Sequence, residues 1–335
     1  MHETREESAD QDRSEGILER LKTLLVRRET RQEGLDLIHV IVNPAAGKDQ
    51  AILKTLNLAC TTAGVDWEVF VTKKRGDGYR LARQAIKKKV DRVVVYGGDG
   101  SVMEVASGLM HSEVPMAIIP GGTANVLAID LGIPRDLVEA SALAVNVNCA
   151  VRKIDLGQIG DNYFILRAGL GLEAAMVAGA DRERKDRLGI LAYGLSALEA
   201  LADPVVATYQ LSFGDQEIEV QGLTCIIANS GLMGREGLYL APNIQLDDGL
   251  LDVIVLRRAD LPSLLSLAAS VLDGEENREA LQRWQVRGVL VRSDPPQKIQ
   301  VDGEMIAETP AQARVIPHAV RVVVPSDNPI SEISL

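Results

Sequence analysis

Aromatic residues are scarce in this sequence, only 3% of 335 positions, which argues against the stacked aromatic platforms of single-strand nucleic-acid binders. Cysteine is also rare. Cys60, Cys149 and Cys225 lie far apart, with neither the close spacing of a metal site nor the density of a disulfide framework. Reduced, mostly buried thiols of a cytosolic protein are expected. Positive charge is in deficit: 36 Lys and Arg against 47 Asp and Glu leave a net charge of −11. Such a chain has no overall field drawing it to nucleic acid or to an anionic bilayer, although a local basic patch can still act. No uncharged apolar run is long enough to cross a bilayer. The charged opening His2-Glu3-Thr4-Arg5-Glu6-Glu7 has no apolar signal core. The expectation is a cytoplasmic protein without a nucleic-acid partner.

What is abundant is hydrophobic residue, 46% of the chain, enough for substantial cores, and the length suggests two domains. Residues 1–13 are polar and acidic and read as disordered. From Ser14 onward Ile17, Leu18, Leu21, Leu24 and Leu25 recur at helical spacing, with Arg27, Arg28 and Arg31 behind them. Such a helix either lies on a membrane surface or docks on its own chain or a second subunit. Strand and helix patterns then alternate. A strand at 35–42 ends in Asn43-Pro44-Ala45-Ala46-Gly47-Lys48, and a helix at 49–63 leads to a strand at 67–72. That strand ends in Lys73-Lys74-Arg75, before a helix at 78–89. The β-branched run from Arg92 breaks into Gly97-Gly98-Asp99-Gly100-Ser101, and Val102, Val105, Ala106 and Leu109 continue at helical spacing. A strand at 114–119 ends in Pro120-Gly121-Gly122-Thr123-Ala124-Asn125, and a further helix covers 134–145.

This order is that of a parallel sheet with crossover helices, whose strand ends form a ligand-binding edge. Glycines let a phosphate approach the backbone, and helix starts offer free N–H groups. Three small-residue turns at one edge point to a shared nucleotide crevice. The first is not a Walker A loop, because Val42 takes the first glycine's place and Asp49 follows the lysine. Asp99 repels phosphate, so it either handles a metal, a water or a proton, or simply caps a helix. Thr123 and Asn125 either cap the next helix or hold phosphate. Lys73, Lys74 and Arg75 are either a solvated loop or a counter-charge to phosphates.

After residue 149 strand patterns dominate, at 150–154, 163–168, 207–213, 217–229, 250–256, 285–291 and 320–324. Helices at 188–201 and 261–272 interrupt them, so a second, mainly antiparallel β domain is expected. Gly169-Leu170-Gly171-Leu172-Glu173-Ala174 matches a dinucleotide fingerprint but lacks its strand-to-helix context. Asp247-Asp248-Gly249-Leu250 is a turn sequence whose acids also suit magnesium together with backbone carbonyls. Asp302-Gly303-Glu304 is either a hairpin turn or a carboxylate pair for proton abstraction and metal contact.

The four segments Asn43 to Lys48, Gly97 to Ser101, Pro120 to Asn125, and Val301-Asp302-Gly303-Glu304 occur in that order. Together they closely resemble the diacylglycerol kinase catalytic-domain family, in its bacterial lipid-kinase branch, to which sphingosine kinases are related. The resemblance covers about residues 35–327. It implies an ATP-binding α/β domain at 35–148 and a β-sandwich-like lipid-substrate domain at 149–328, flanked by an extension with one amphipathic helix at 1–34 and a tail at 329–335. It implies transfer of the γ-phosphate of ATP to a lipid hydroxyl, with magnesium. Position by position, it implies ATP contacts at Asn43, Pro44, Ala45, Ala46, Gly47, Thr72, Gly97, Gly98, Gly100, Ser101, Glu104, Gly122 and Thr123. Asp302 matches the proton acceptor and Glu304 a nucleotide or metal contact. Asp99 matches an acid that some relatives offer as the base instead. Asp155 matches an acid supporting the metal network, and Asp248 a magnesium ligand beside the carbonyls of Gln245 and Leu250. Ser101 replaces the usual Thr, and Met103 stands where many members have Asn.

An apolar acceptor calls for a greasy cleft, for which residues 189–195 are the candidate lining or else an ordinary core helix. The expected partners are a lipid substrate and, transiently, the inner membrane surface; a homodimer is left open. NAD kinases share the glycine–aspartate turn but lack, as a rule, the Asn-Pro opening and the late Asp-Gly-Glu. A catalytically silent lipid-binding protein of the same fold is the other alternative.

Overall fold

The computed structural model describes residues 3–25, 34–46, 51–171, 174, 205–234, 236–257 and 281–326. Expectations for Gly47, Lys48, Asp49, residues 188–201 and 261–272, the candidate lining at 189–195 and the tail lie outside the described residues. The chain divides into two compact units, one of residues 1–153 with 320–335, the other of residues 154–319.

In the first unit, strands β1 (Leu37–Val42), β2 (Asp66–Val71), β3 (Arg92–Gly97) and β4 (Met116–Pro120) run parallel in the order β2-β1-β3-β4. The end of β16 (Ala311–Val324) joins β4 in parallel, with Val322 opposite Met116. Helices α2 (Ile52–Ala63), α3 (Asp77–Lys88) and α4 (Asp99–Leu109) alternate with the strands, and α5 (Val126–Asp130) and α6 (Leu137–Val145) follow β4. β3 is buried along its whole length, as a central parallel strand covered on both faces must be. α2 presents Leu56, Ala59 and Cys60 to the core and ends at Gly64, whose left-handed backbone returns its N–H to the carbonyls of Cys60 and Thr61. Buried Arg92 closes the end of α6, donating to the carbonyls of Ala144 at 2.7 Å and Asn146 at 3.1 Å.

The amphipathic helix begins earlier than expected: α1 runs Glu3–Leu24, so residues 3–13 are helical where disorder was read. Glu, Ala and Arg are good helix formers, and propagation from the apolar part costs little once nucleated. Leu21 is fully buried and joins Ile17 and Leu25 against the core containing Leu56 and Ala140. Arg20 pairs with Asp136 at 2.9 Å and Glu139 at 3.3 Å. The apolar face of the helix therefore docks on its own chain.

The second unit is a sandwich of two antiparallel sheets. One has the order β12 (Leu281–Val286), β11 (Leu251–Leu256), β10 (Thr224–Ala228), β7 (Arg167–Gly171), β14 (Lys298–Val301), β15 (Glu304–Glu308). The other runs from the first part of β16 through β13 (Gly288–Asp294) and β8 (Ala207–Phe213) to β9 (Gln216–Gly222). The hairpin of β5 (Ala150–Ile159) and β6 (Asn162–Phe164) precedes them. Leu170, Ile227, Val253 and Ile299 of the first sheet meet Tyr209, Leu211, Val291 and Ala313 of the second in one core. Three runs expected as single strands are corners between the sheets, the first being 163–168, which breaks after Phe164 between β6 and β7. The run at 217–229 breaks at Leu223 between β9 and β10, and the run at 285–291 lies across the break at Arg287 between β12 and β13. The run at 217–229 alternates polar and apolar residues up to Gln221 and is mostly apolar beyond it. The change falls at Gly222, where a Cβ would stand 2.5 Å from Val255.

Candidate active site

The carboxyl ends of the first unit's strands lie side by side. Val71 pairs with Val42, Val42 with Tyr96, and Gly97 with Pro120. Thr72, Asn43, Gly98 and Gly121 therefore leave adjacent strands. Thr72 donates its N–H to Val42 O at 2.9 Å. Asn43 accepts the Ala45 N–H on Oδ1 at 3.0 Å, which shapes the turn through Pro44 and Ala46, and its Nδ2 donates to Ser101 Oγ at 2.8 Å. Because Ser101 Oγ accepts here, its own proton remains to be given.

The two glycine turns touch. A Cβ on Gly122 would stand 2.5 Å from Gly98 Cα, and one on Gly98 would stand 3.2 Å from Gly122 Cα. A Cβ on Gly97 would stand 2.5 Å from Ser101 Cβ. These glycines serve close approach, since none has positive φ. Asp99 caps a helix, but α5 and not its own α4: its Oδ1 accepts the Leu127 N–H at 3.3 Å, with Asn125 and Val126 N–H groups also bearing on it. Burial pushes the Asp99 carboxyl pKa up, and those N–H groups pull it back. Asn125, left-handed at φ 52°, accepts the Gly122 N–H at 2.8 Å and donates to Gly122 O at 2.6 Å. The turn at 122–125 is thus closed on itself, with Thr123 exposed. The turn at 98–101 stays open: Gly98, the residue before α4, has no side chain to cap it, and nothing lies within 4 Å of where Gly100 would carry a Cβ. An uncapped helix start beside a serine hydroxyl suits an anion. Glu104 turns elsewhere, accepting the Gly76 N–H on Oε1 at 2.8 Å and the Gly78 N–H on Oε2 at 2.9 Å.

In the second unit, Val301 pairs with Glu304 across Asp302 (φ 45°) and Gly303 (φ 89°). This is the two-residue mirror-type turn that Asp-Gly favours, so the hairpin is real. The aspartate also has a second task. Its Oδ2 accepts the Ile165 N–H at 2.9 Å, and its Oδ1 accepts those of Leu166 at 3.1 Å and Arg167 at 2.9 Å. Its own N–H donates to Arg167 O at 3.0 Å. Burial pushes the Asp302 pKa up to about 6 despite the three N–H donors. A carboxylate offers about four lone-pair sites, so one on Oδ2 remains. An anchored carboxylate with an open acceptor site and an affinity near neutral is suited to taking a proton. Glu304 follows on β15 and is exposed.

Asp155 is fully buried, accepting the His318 N–H on Oδ1 and the Gly249 N–H on Oδ2, each at 2.6 Å. It thereby fixes the loop that holds Asp248, whose Oδ1 accepts the Leu250 N–H at 2.9 Å. Burial first, then the neighbouring charges of Asp155 and Asp247, push the Asp248 pKa up. Among the described residues no three His, Cys, Asp or Glu side chains group as a metal set. The feature there that a cation would relieve is the negative charge that Asp155 and Asp247 add around Asp248.

Two positioning residues escaped the sequence reading. Gln300, 2% exposed, accepts the Gly303 N–H at 2.7 Å and sets the hairpin. Asn229, fully buried, donates from Nδ2 to Asp155 O at 3.0 Å and Ile165 O at 2.8 Å, and from its backbone to Leu166 O at 2.9 Å. It ties the turn that feeds Asp302 to the strand of Asp155. The available signal was an Asn directly after the buried run of β10.

A family model described as the diacylglycerol kinase catalytic domain matches residues 37–159, and one described as the YegS C-terminal NAD kinase beta sandwich-like domain matches residues 167–324. A protein of Chromohalobacter salexigens named "Probable lipid kinase YegS-like" is 32% identical over 268 residues, covering 78% of this chain and 85% of that one. The chain belongs to the diacylglycerol kinase-like lipid kinase family. Another member of this lipid kinase family, the diacylglycerol kinase of Bacillus subtilis, is 27% identical over 293 residues, covering 86% of this chain and 96% of its own. The fold also matches a crystal structure of a diacylglycerol kinase from Bacillus anthracis with a TM-score of 0.69 at 21% identity, over 90% of this chain and 99% of that one.

Proposed function

We propose that this lipid kinase family member transfers the γ-phosphate of ATP to the hydroxyl of a lipid, diacylglycerol or a related lipid alcohol. The observation that carries the reading is Asp302, a carboxylate anchored by three backbone N–H groups with a pKa of about 6. It would accept the proton of the attacking hydroxyl, and phosphoryl transfer asks little more of the protein than positioning and charge neutralisation. The open turn at 98–101, with Ser101 and Asn43, would hold the nucleotide's phosphates. Asp99 would act by keeping the two glycine turns together. Asp248 with the carbonyls of Gln245 and Leu250 would hold magnesium, supported by Asp155, and the ion when bound would supply charge neutralisation. No helix among the described residues is long and apolar enough to cross a membrane. The enzyme would act in the cytoplasm, meeting its substrate by transient contact with the inner membrane surface.

The test offers ATP with vesicles containing single candidate lipids, and NAD in a parallel arm, and reads products by mass spectrometry. A phosphorylated lipid is expected. Phosphorylated NAD alone would overturn the lipid assignment, and no product in any arm would favour a silent lipid binder.

A further inference from the structure

The loop from Thr72 to Gly78 joins β2 to α3 and carries the cations Lys73, Lys74 and Arg75. Its backbone is held from two sides by carboxylates. From within, buried Asp77 accepts the Lys73 N–H at 2.9 Å and the Lys74 N–H at 3.2 Å on Oδ2, and Arg80 on Oδ1 at 3.0 Å. These partners hold the Asp77 carboxyl down to about 2, so the acid is charged at any working pH. From α4, Glu104 accepts the N–H groups of Gly76 and Gly78, one on each oxygen. The fit is tight: a Cβ on Gly78 would stand 2.8 Å from Glu104 Cβ. Four backbone N–H groups of one short loop are thus bound by charge-assisted hydrogen bonds, about twice as strong as neutral ones.

The loop leaves the strand edge described above. Thr72 is bonded to Val42, the residue before Asn43, and the loop lies two strand spacings, across β1, from the open turn at 98–101. At the usual strand spacing that is about 10 Å. Lys73 and Lys74 are exposed there, in a chain whose net charge is −11. Such a local excess of cations opposes the field of the whole molecule, and the loop is held in place by more bonds than a solvated connection needs.

We propose that Lys73 and Lys74 are counter-charges to the phosphates of the nucleotide donor, and that Glu104 is a positioning residue that, with Asp77, fixes the loop carrying them. This rests on the kinase reading above. It gives Glu104 an indirect role, through the N–H groups of Gly76 and Gly78, in place of a contact with the nucleotide.

The experiment measures binding of ATP, adenosine and inorganic tripolyphosphate by calorimetry, without lipid, to the full chain and three variants. These are Lys73→Ala/Lys74→Ala, Glu104→Gln, and the triple combination, with folding checked by thermal melts. Removing the lysines should weaken ATP and tripolyphosphate by about tenfold and leave adenosine unchanged. Glu104→Gln should weaken the same two ligands, and the triple variant should be no weaker than the lysine pair, because the residues act as one unit. The lysine pair is on the surface and should fold even if Glu104→Gln does not. Losses that multiply would show that Glu104 touches the nucleotide itself and overturn its positioning role. Variants that bind tripolyphosphate as well as the unaltered chain would overturn the counter-charge. If the unaltered chain binds neither phosphate ligand, the kinase reading fails, and this inference with it.

Discussion

Asp99 and Asp302 both hang on backbone N–H groups, but they secure different things. Asp99 ties the start of α5 to the glycine turn of α4 within the first unit. Asp302 ties a hairpin to the entry of β7 within the second. The donors on Asp99 come from a helix start, where the dipole already favours a negative charge. Those on Asp302 come from a strand entry without such help, and the residue sits in the left-handed region at φ 45°. The contrast teaches that one means of anchoring, a carboxylate receiving backbone N–H groups, serves a helix start in one unit and a strand entry in the other. Burial pushes both carboxyl pKa values up, and what separates the two acids is the element each one holds.

The largest expected effect breaks the pair apart. Asp302→Asn should lower lipid-dependent ATP turnover by about 10²–10⁴-fold, the usual worth of a general base. Asp99→Asn, which keeps an oxygen for the Leu127 N–H, should cost only about tenfold. Steady-state kinetics on both variants, with melting curves as a folding check, decide this. Equal losses would erase the distinction.

A pH series sharpens it. The Asp302 pKa rises from the ordinary 3.8 to about 6 on folding, so the folded chain holds that proton more tightly than the unfolded one. Its contribution to stability is therefore full below the unfolded value and is lost as pH rises to about 6. Turnover should run the opposite way, climbing through about pH 6 as the base ionises. Rate and urea-unfolding profiles on the same buffers should show the opposed limbs, and Asp302→Asn should flatten both. A rate profile without an acid limb near 6 would count against Asp302 as the base.

The turn glycines differ in kind, and smaller effects follow. Gly122→Ala places a Cβ 2.5 Å from Gly98 Cα; it should cost about 1–3 kcal/mol by overpacking and raise the KM for ATP. Gly303 has open space but φ 89°, so Gly303→Ala should cost about 1–2 kcal/mol from backbone conformation. Denaturant unfolding measures both. Smallest is Gly100→Ala, in a helix with nothing within 4 Å. It should stabilise by about 0.4–1 kcal/mol, yet weaken ATP if phosphate lies against that turn.

The first unit was legible because its chemistry is local. Each glycine turn ends a strand and starts a helix within a few residues, and the alternation of elements dictates a parallel sheet that lines the turns up. Asp302-Gly303 was legible as a hairpin for the same reason. What sequence could not display is partnership across distance. That Asp99 caps a helix 28 residues on, or that Asp302 receives N–H groups from 135 residues away, depends on tertiary packing. The sheet-switching corners at Leu223 and Arg287 stayed hidden because strand-forming residues continue on both sides of each, although β9 alternates exposed and buried positions where β10 is buried throughout. The family resemblance implies a nucleotide contact for Glu104, but no motif displays that its carboxylate accepts the N–H groups of Gly76 and Gly78, 28 and 26 residues away.

The pairing of Val322 with Met116 brings the last described strand of the chain back to the first unit, where Val323 is fully buried. A fragment ending near residue 150 would lack that strand. It would bare the backbone of β4, whose Ala117, Ile118 and Ile119 are almost wholly out of solvent. An apolar sheet rim of this kind recruits foreign strands. Anyone dissecting the protein should therefore graft the terminal strand onto the amino-terminal piece, or expect inclusion bodies.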